Sequence, residues 1–161
     1  MEKDKIFMKE WLVAGREEEI EKPGDYLTFH VMDEPVLLVR DQQGQINALS
    51  NVCRHRGVEV ARGQGNVEQF TCPYHNWTYD LEGKLLNAPY MDTVKNFDFA
   101  NCRMGPLRCD SWQGWIYINF DPKAPPLSKT VKETERDFGF LQQHRCRMAD
   151  KYEAEFECNW K

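Results

Sequence analysis

At 161 residues the chain has room for one ordinary domain, or one domain and part of another, and can bury a core without covalent staples. It is 41% apolar and 12% aromatic, and 26 acidic against 21 basic residues give a formal charge of −5, which argues against nucleic acid or an anionic membrane as a partner. The longest apolar runs, such as Val36–Val39, are too short to span a bilayer, the charged start MEKDKIFMKE has no signal-peptide core, and six Cys without an export signal fit a reducing cytoplasm and metal binding better than disulfides.

In chain order, Ile6, Phe7, Trp11 and Ala14 fall at roughly helical spacing and predict a short helix within an N-terminal helical segment, residues 1–22. From Gly24 the period changes to two. Leu27, Phe29 and Val31 alternate with polar positions, with His30 on the opposite, solvent face. PVLLVRD reads as a fully apolar strand, and DQQGQ as a hairpin turn into INALS. Further strands are predicted at 67–71, 77–81, 104–108 and 114–120, with LEGK a turn. Strands this short and this close together imply an all-β antiparallel module over residues 23–126. DPKAPP ends it, because two prolines cannot continue a ladder. Leu127, Val131, Phe138 and Leu141 then predict a helix to about Gln143, with Lys129 and Glu133 as an exposed i,i+4 pair. CRMADKYEAEFECNW alternates again, so residues 127–161 read as a linker helix and one more strand, which ends as though cut.

The chemistry lies in VCRHRG and CPYHNW. Cys53 and His55 form one pair, Cys72 and His75 another, as C-x-H, 16 residues, then C-x-x-H. Structural zinc sites usually pair Cys with Cys and His with His, at C-x2–4-C and H-x3–5-H spacings. Each pair here is mixed. Four such ligands could still hold zinc, but the mixing argues for a different centre.

The pattern resembles the Rieske signature, in which two Cys bind one iron of a [2Fe–2S] cluster and two His the other. The resemblance implies the Rieske fold: small antiparallel sheets, two cluster-binding loops and short flanking helices. It implies Cys53 and Cys72 on one iron and His55 and His75 on the other, as a one-electron relay. Val58 and Tyr74 stand where the respiratory and photosynthetic bc-complex proteins carry a loop-to-loop disulfide, and Trp77 where they carry a Ser that donates to a bridging sulfide. A low potential is expected. IFMKEWLVAG, WQGWIYINFDPKAPPL and FECNWK also look like segments of the catalytic α subunits of Rieske non-haem iron oxygenases, the aromatic ring-hydroxylating dioxygenase family. Asn76 departs from the Gly more usual there.

That resemblance implies electrons arriving from a reductase or ferredoxin. They would pass to a mononuclear Fe(II) in a catalytic domain of the same or a neighbouring subunit of a homotrimer or larger ring. This chain shows no such iron site, since His30 and His144 stand in unrelated contexts. No residue of this chain is therefore assigned a catalytic role. The alternative is a stand-alone Rieske-type ferredoxin, to which both flanks are surplus. A cytoplasmic location is expected, with neither nucleic acid nor membrane as partner. Arg54 and Arg56 could hydrogen-bond near the cluster, steer an acidic partner, or be ordinary exposed arginines. Trp77 is expected to shield the cluster. Cys102, Cys109, Cys146 and Cys158 are expected to be buried or inert, and Tyr79, Trp112, Trp115 and Tyr117 to be core.

Overall fold

The computed structural model describes residues 2–91, 93–150 and 152–159. Among the described residues ten strands form two antiparallel sheets. They are β1 (Leu12–Arg16), β2 (Asp25–Val31), β3 (Glu34–Arg40), β4 (Ile46–Ser50), β5 (Gln64–Asn66), β6 (Phe70–Thr71), β7 (Thr78–Tyr79), β8 (Leu85–Asn87), β9 (Pro106–Trp112) and β10 (Trp115–Asn119). The larger sheet runs β1-β10-β9-β4-β3-β2-β5, and the smaller β6-β7-β8. The all-β expectation holds.

The run Val36-Leu37-Leu38-Val39 explains how the sheets combine. All four residues are fully buried, yet a strand turns successive side chains to opposite faces. Val36 and Leu38 therefore enter a core with Ile20, Ala48, Ile116 and Ile118 inside the curl of the large sheet. Leu37 and Val39 enter a second core with Leu49, Phe70, Tyr79, Leu85 and Met104, and this core also holds Cys53 and Cys72. An unbroken apolar run is what a strand covered on both faces requires. The β2–β3 register, Leu27 opposite Leu38 and Phe29 opposite Val36, puts Leu27 and Phe29 against the first core and leaves His30 exposed.

The turns are set by their side chains. The Asp41 and Asp80 carboxylates each accept two backbone N–H groups, from Gln43 and Gln45 at 2.9 and 2.8 Å and from Glu82 and Lys84 at 2.9 and 2.8 Å. Each D-x-x-G turn places its Gly at positive φ, +83° at Gly44 and +80° at Gly83. At Gly83 a Cβ would lie 3.1 Å from both Leu49 and Met104, so only Gly lets this turn press on the second core.

The flanks differ from the sequence reading. The segment 1–22 is not wholly helical: Lys3–Phe7 forms one π-helical turn, Leu12–Arg16 is β1, and Glu17–Ile20 is a 3-10 turn. Ala14 belongs to the sheet, and Trp11 directly precedes it, because the edge of β10 offers backbone partners. The predicted helix after Pro126 is split. Leu127–Thr130 (α1) and Lys132–Phe138 (α2) are separated at Val131 and followed by 3-10 turns, so Lys129 and Glu133 do not share one helix. Leu127 and Val131 are buried, whereas Phe138 and Leu141 are about half exposed and find no core. The strand expected after Arg145 is not formed among the described residues, and Tyr152 and Phe156 are largely exposed. Lys151, Trp160 and Lys161 lie outside the described residues.

Trp112 and Trp115 are half-buried, not core, and anchor the segment C-terminal to the sheet. Trp112 Nε1 donates to Glu135, and Trp115 Nε1 to Gln143 at 2.6 Å. The buried Arg16 donates to the Gln143 and Cys146 carbonyls at 3.1 and 2.9 Å and lies over the Trp115 ring. At the other flank Lys9 pairs with Asp121 at 2.9 Å, and Trp11 Nε1 donates to the Pro125 carbonyl. Both flanks are thus bound to the sheet.

Candidate metal centre

Two loops meet over the second core. The first comes after β4 and carries Cys53 and His55, and the second joins β6 to β7 and carries Cys72 and His75. They are built alike. Cys53 N–H donates to the Val58 carbonyl at 2.8 Å, and Gly57 N–H returns to the Cys53 carbonyl at 3.0 Å. Cys72 N–H donates to the Trp77 carbonyl at 2.8 Å, and Asn76 N–H returns to the Cys72 carbonyl at 3.0 Å. The fourth residue after each Cys takes a left-handed conformation, Gly57 at φ +74° and Asn76 at φ +58°. Asn thus does at the second loop what Gly does at the first, because its short polar side chain tolerates that region better than most.

The base of the first loop is clamped by Asn51, buried at the end of β4. Its Oδ1 accepts from Val60 and Ala61 N–H, and its Nδ2 donates to the Ala61 carbonyl at 2.8 Å. The smaller sheet positions the second loop, with Phe70 opposite Tyr79 and Thr71 opposite Thr78.

These loops bring the four predicted ligands together. Cys53 and Cys72 are both 2% exposed, are free thiols, and lie in the same buried core. The His55 and His75 rings are half-buried with centroids 4.7 Å apart. Burial pushes the Cys72 thiol up. His55 is held below the usual imidazole range, first by burial and then by the charges of His75 and Arg56. Metal ligation needs thiolate and neutral imidazole, so the depressed His55 is already in its ligating form, whereas the Cys72 thiol must give up its proton on binding.

The fit of a cluster rests on two further observations. The Nδ1 atoms of both His55 and His75 are buried without a hydrogen-bond partner, as ligating nitrogens would be. Among the described residues, no three or more His, Cys, Asp or Glu side chains close on a single ion. One tetrahedral zinc needs such convergence. A two-iron cluster asks only for two protein ligands at each iron.

Other residues at the centre were read differently from sequence or missed. Tyr79 is core, as expected, but its hydroxyl also reaches the centre. It lies 3.3 Å from Cys53 Sγ and accepts the Arg54 N–H at 3.1 Å, and burial followed by Cys53 pushes its pKa well up. Trp77 stacks on His55, with centroids 4.8 Å apart and planes 10° apart, and Phe97 stands edge-on to it at 5.6 Å. The Trp77 ring thus covers one face of His55; nothing in the sequence marked Phe97 or Asn51. Tyr74 is 57% exposed with its ring against His75. The Arg54 and Arg56 side chains point to solvent.

Outside the centre, His30 lies 3.0 Å from Glu59, and His144 lies 2.8 Å from Gln113. Cys102 and Cys109 are half-buried, but Cys146 and Cys158 are exposed, because the segment that carries them lies on the surface.

Comparison with known proteins agrees with this geometry. Residues 10–98 match the model of the Rieske [2Fe-2S] domain. The chain is 36% identical over its full length to the benzene 1,2-dioxygenase subunit alpha of Pseudomonas putida strain F1 and covers 37% of that protein. It is 34% identical over 99% of its length to the carnitine monooxygenase oxygenase subunit of Acinetobacter pittii and covers 44% of it. Its fold matches the structure of naphthalene 1,2-dioxygenase from Rhodococcus sp. bound to indole with a TM-score of 0.82 at 30% identity, over 87% of this chain and 33% of that one. The chain therefore spans well under half the length of these relatives. Two mixed Cys/His loops converging over one buried core, in a chain whose greater part matches the domain model, make it a member of the Rieske [2Fe–2S] family.

Proposed function

We propose that Cys53 and Cys72 bind one iron of the cluster through thiolate, and that His55 and His75 bind the other through Nδ1. The observation that carries this is the convergence of the two loops, which leaves two imidazole Nδ1 atoms buried and unpartnered beside two buried thiols. The cluster, when bound, supplies one-electron transfer. The protein supplies the rest. Two neutral imidazoles in place of two thiolates leave one iron with less anionic charge, which eases reduction. Trp77 and Phe97 keep water from the His55 face, and Tyr79 supports Cys53 from below.

The chain serves as the electron-transfer part of a Rieske oxygenase α subunit. Residues 23–126 form the cluster domain, and residues 127–161 lead towards a catalytic domain. A reductase or ferredoxin delivers electrons in the cytoplasm. The acceptor is a mononuclear Fe(II), held by two His and a carboxylate in the catalytic domain of the same or a neighbouring subunit of a homotrimer or larger ring. The named relatives act on benzene and carnitine, so an aromatic or quaternary-ammonium compound is the substrate class to test first. The bound flanks favour this reading over a free carrier, which has no use for Arg16 gripping Gln143 and Cys146. Among the described residues no helix is long and apolar enough to cross a membrane.

The test is composition and spectroscopy. Purified chain should contain two irons and two acid-labile sulfides and show a Rieske-type EPR signal on dithionite reduction. Cys53→Ser and Cys72→Ser should each lose it. One zinc and no sulfide would overturn the assignment.

A further inference from the structure

Trp77 carries a second feature besides its stacking. Its indole Nε1–H is buried and has no hydrogen-bond partner. Indole is a donor only, and a buried indole N–H is normally paired. The residue is fixed in place: it is 2% exposed, its carbonyl accepts the Cys72 N–H, and its ring lies between His55 and Phe97. A small rotation to find another partner would break those contacts.

The other buried unpartnered side-chain atoms among the described residues are Glu18 Oε2 and the Nδ1 atoms of His55 and His75. Glu18 Oε2 has an ion-pair neighbour in Arg147, 3.3 Å away. The remaining three atoms all belong to one site, with the His55 ring 4.7 Å from that of His75 and 4.8 Å from that of Trp77. Iron accounts for the two imidazole nitrogens. A group that also satisfies the indole must present an acceptor there, and the anionic bridging sulfides of a [2Fe–2S] cluster are acceptors.

We propose that the Trp77 Nε1–H donates a hydrogen bond to a sulfide of the cluster, so that Trp77 is a tuning residue as well as a cover. This rests on the ligand assignment above. The reduced cluster is one electron more negative and accepts the bond more strongly. The bond therefore favours the reduced state and raises the potential.

Trp77→Phe keeps an aromatic ring over His55 and removes the donor. The loaded variant should show a lower midpoint in voltammetry than the loaded native chain. A tenfold loss of preference for the reduced state reads as 59 mV for one electron. Resonance Raman Fe–S bands should shift in D2O for the native chain and shift less in the variant. If Trp77→Phe fails to load, benzothienylalanine at position 77 replaces the N–H with sulfur at nearly the same shape, and the same two readouts apply. A loaded variant with native midpoint and native D2O sensitivity overturns the proposal and leaves the ligand assignment standing. A native chain without iron and sulfide overturns the assignment, and this proposal with it.

Discussion

Asn76 shows how one residue can meet a backbone demand at a cost. Its φ of +58° is the conformation that Gly57 supplies in the matching loop. A left-handed residue costs roughly 1–2 kcal/mol for most side chains and less for Asn. Asn76→Gly should therefore stabilise the chain by up to about 1 kcal/mol, partly offset by the unfolded-state entropy of Gly. Thermal unfolding should shift upward by no more than a few degrees, with the cluster spectrum unchanged; a clear fall would mean that the Asn side chain holds the loop. Cys109 sets a pH limit. Burial, then the charges of Asp110 and Glu17, push its thiol up to about 12, whereas an unfolded thiol titrates near about 8.5. The native state keeps its proton where the unfolded chain has lost it. This contribution is fully present below about pH 8.5 and declines as pH rises towards about 12. Melting temperature should thus fall on the alkaline side, and Cys109→Ala should flatten that fall. An unchanged alkaline slope would place the cause elsewhere, with the half-buried Tyr117, whose hydroxyl burial also pushes up, the next acid to examine.

The strand β3 links stability to the metal centre through one face only. Leu37 and Leu38 are both fully buried, and truncation of a core Leu costs about 2–5 kcal/mol. Leu37→Ala opens the core that holds Cys53 and Cys72, and Leu38→Ala opens the core inside the curl. Both variants should lose comparable stability in denaturant titration. Only Leu37→Ala should also alter the EPR line shape or release iron faster to a chelator. Equal effects on the cluster from both would show that the two cores act as one. The flanking elements behave differently from β3, because their order comes from polar side chains. Arg16→Ala removes the donor to the Gln143 and Cys146 carbonyls and the cover on Trp115. Hydrogen exchange should then rise across residues 143–148 while β3 and β4 stay protected; uniform protection would assign the docking to Trp112 and Trp115 alone.

For the whole molecule the expected behaviour is redox activity without oxygenation. The positions of Val58 and Tyr74 exclude a loop-to-loop disulfide, and hydroxyl support falls to Tyr79. The midpoint should lie near the low end of the Rieske range, roughly −150 mV. His30 faces Glu59 and His144 faces Gln113, and among the described residues no three potential ligands converge on one ion. The chain should accept an electron from dithionite or a reductase. It should give no hydroxylated product from aromatic or quaternary-ammonium compounds with Fe(II), O2 and catalase present. Turnover abolished by His30→Ala or His144→Ala would reveal a second iron site within this chain.

By itself the sequence determined the chemistry of the centre and the class of fold. Cys53, His55, Cys72 and His75 stand at fixed short spacings within single loops, and period-two patterns such as Leu27, Phe29 and Val31 are local, so both can be read along the chain. Val36–Val39 read as a fully apolar strand, and the structure covers it on both faces. What the tertiary structure decided is everything that depends on partners distant in sequence. The edge of β10 drew Ala14 out of a helix and into pairing beside it. Phe138 and Leu141 found no core and stay about half exposed, and the helix is split at Val131. Tyr79 reaches Cys53 across 26 positions and Arg16 reaches Cys146 across 130. Neither contact has a local signature, because a hydrogen bond between groups distant in sequence exists only once the chain has folded and brought them together.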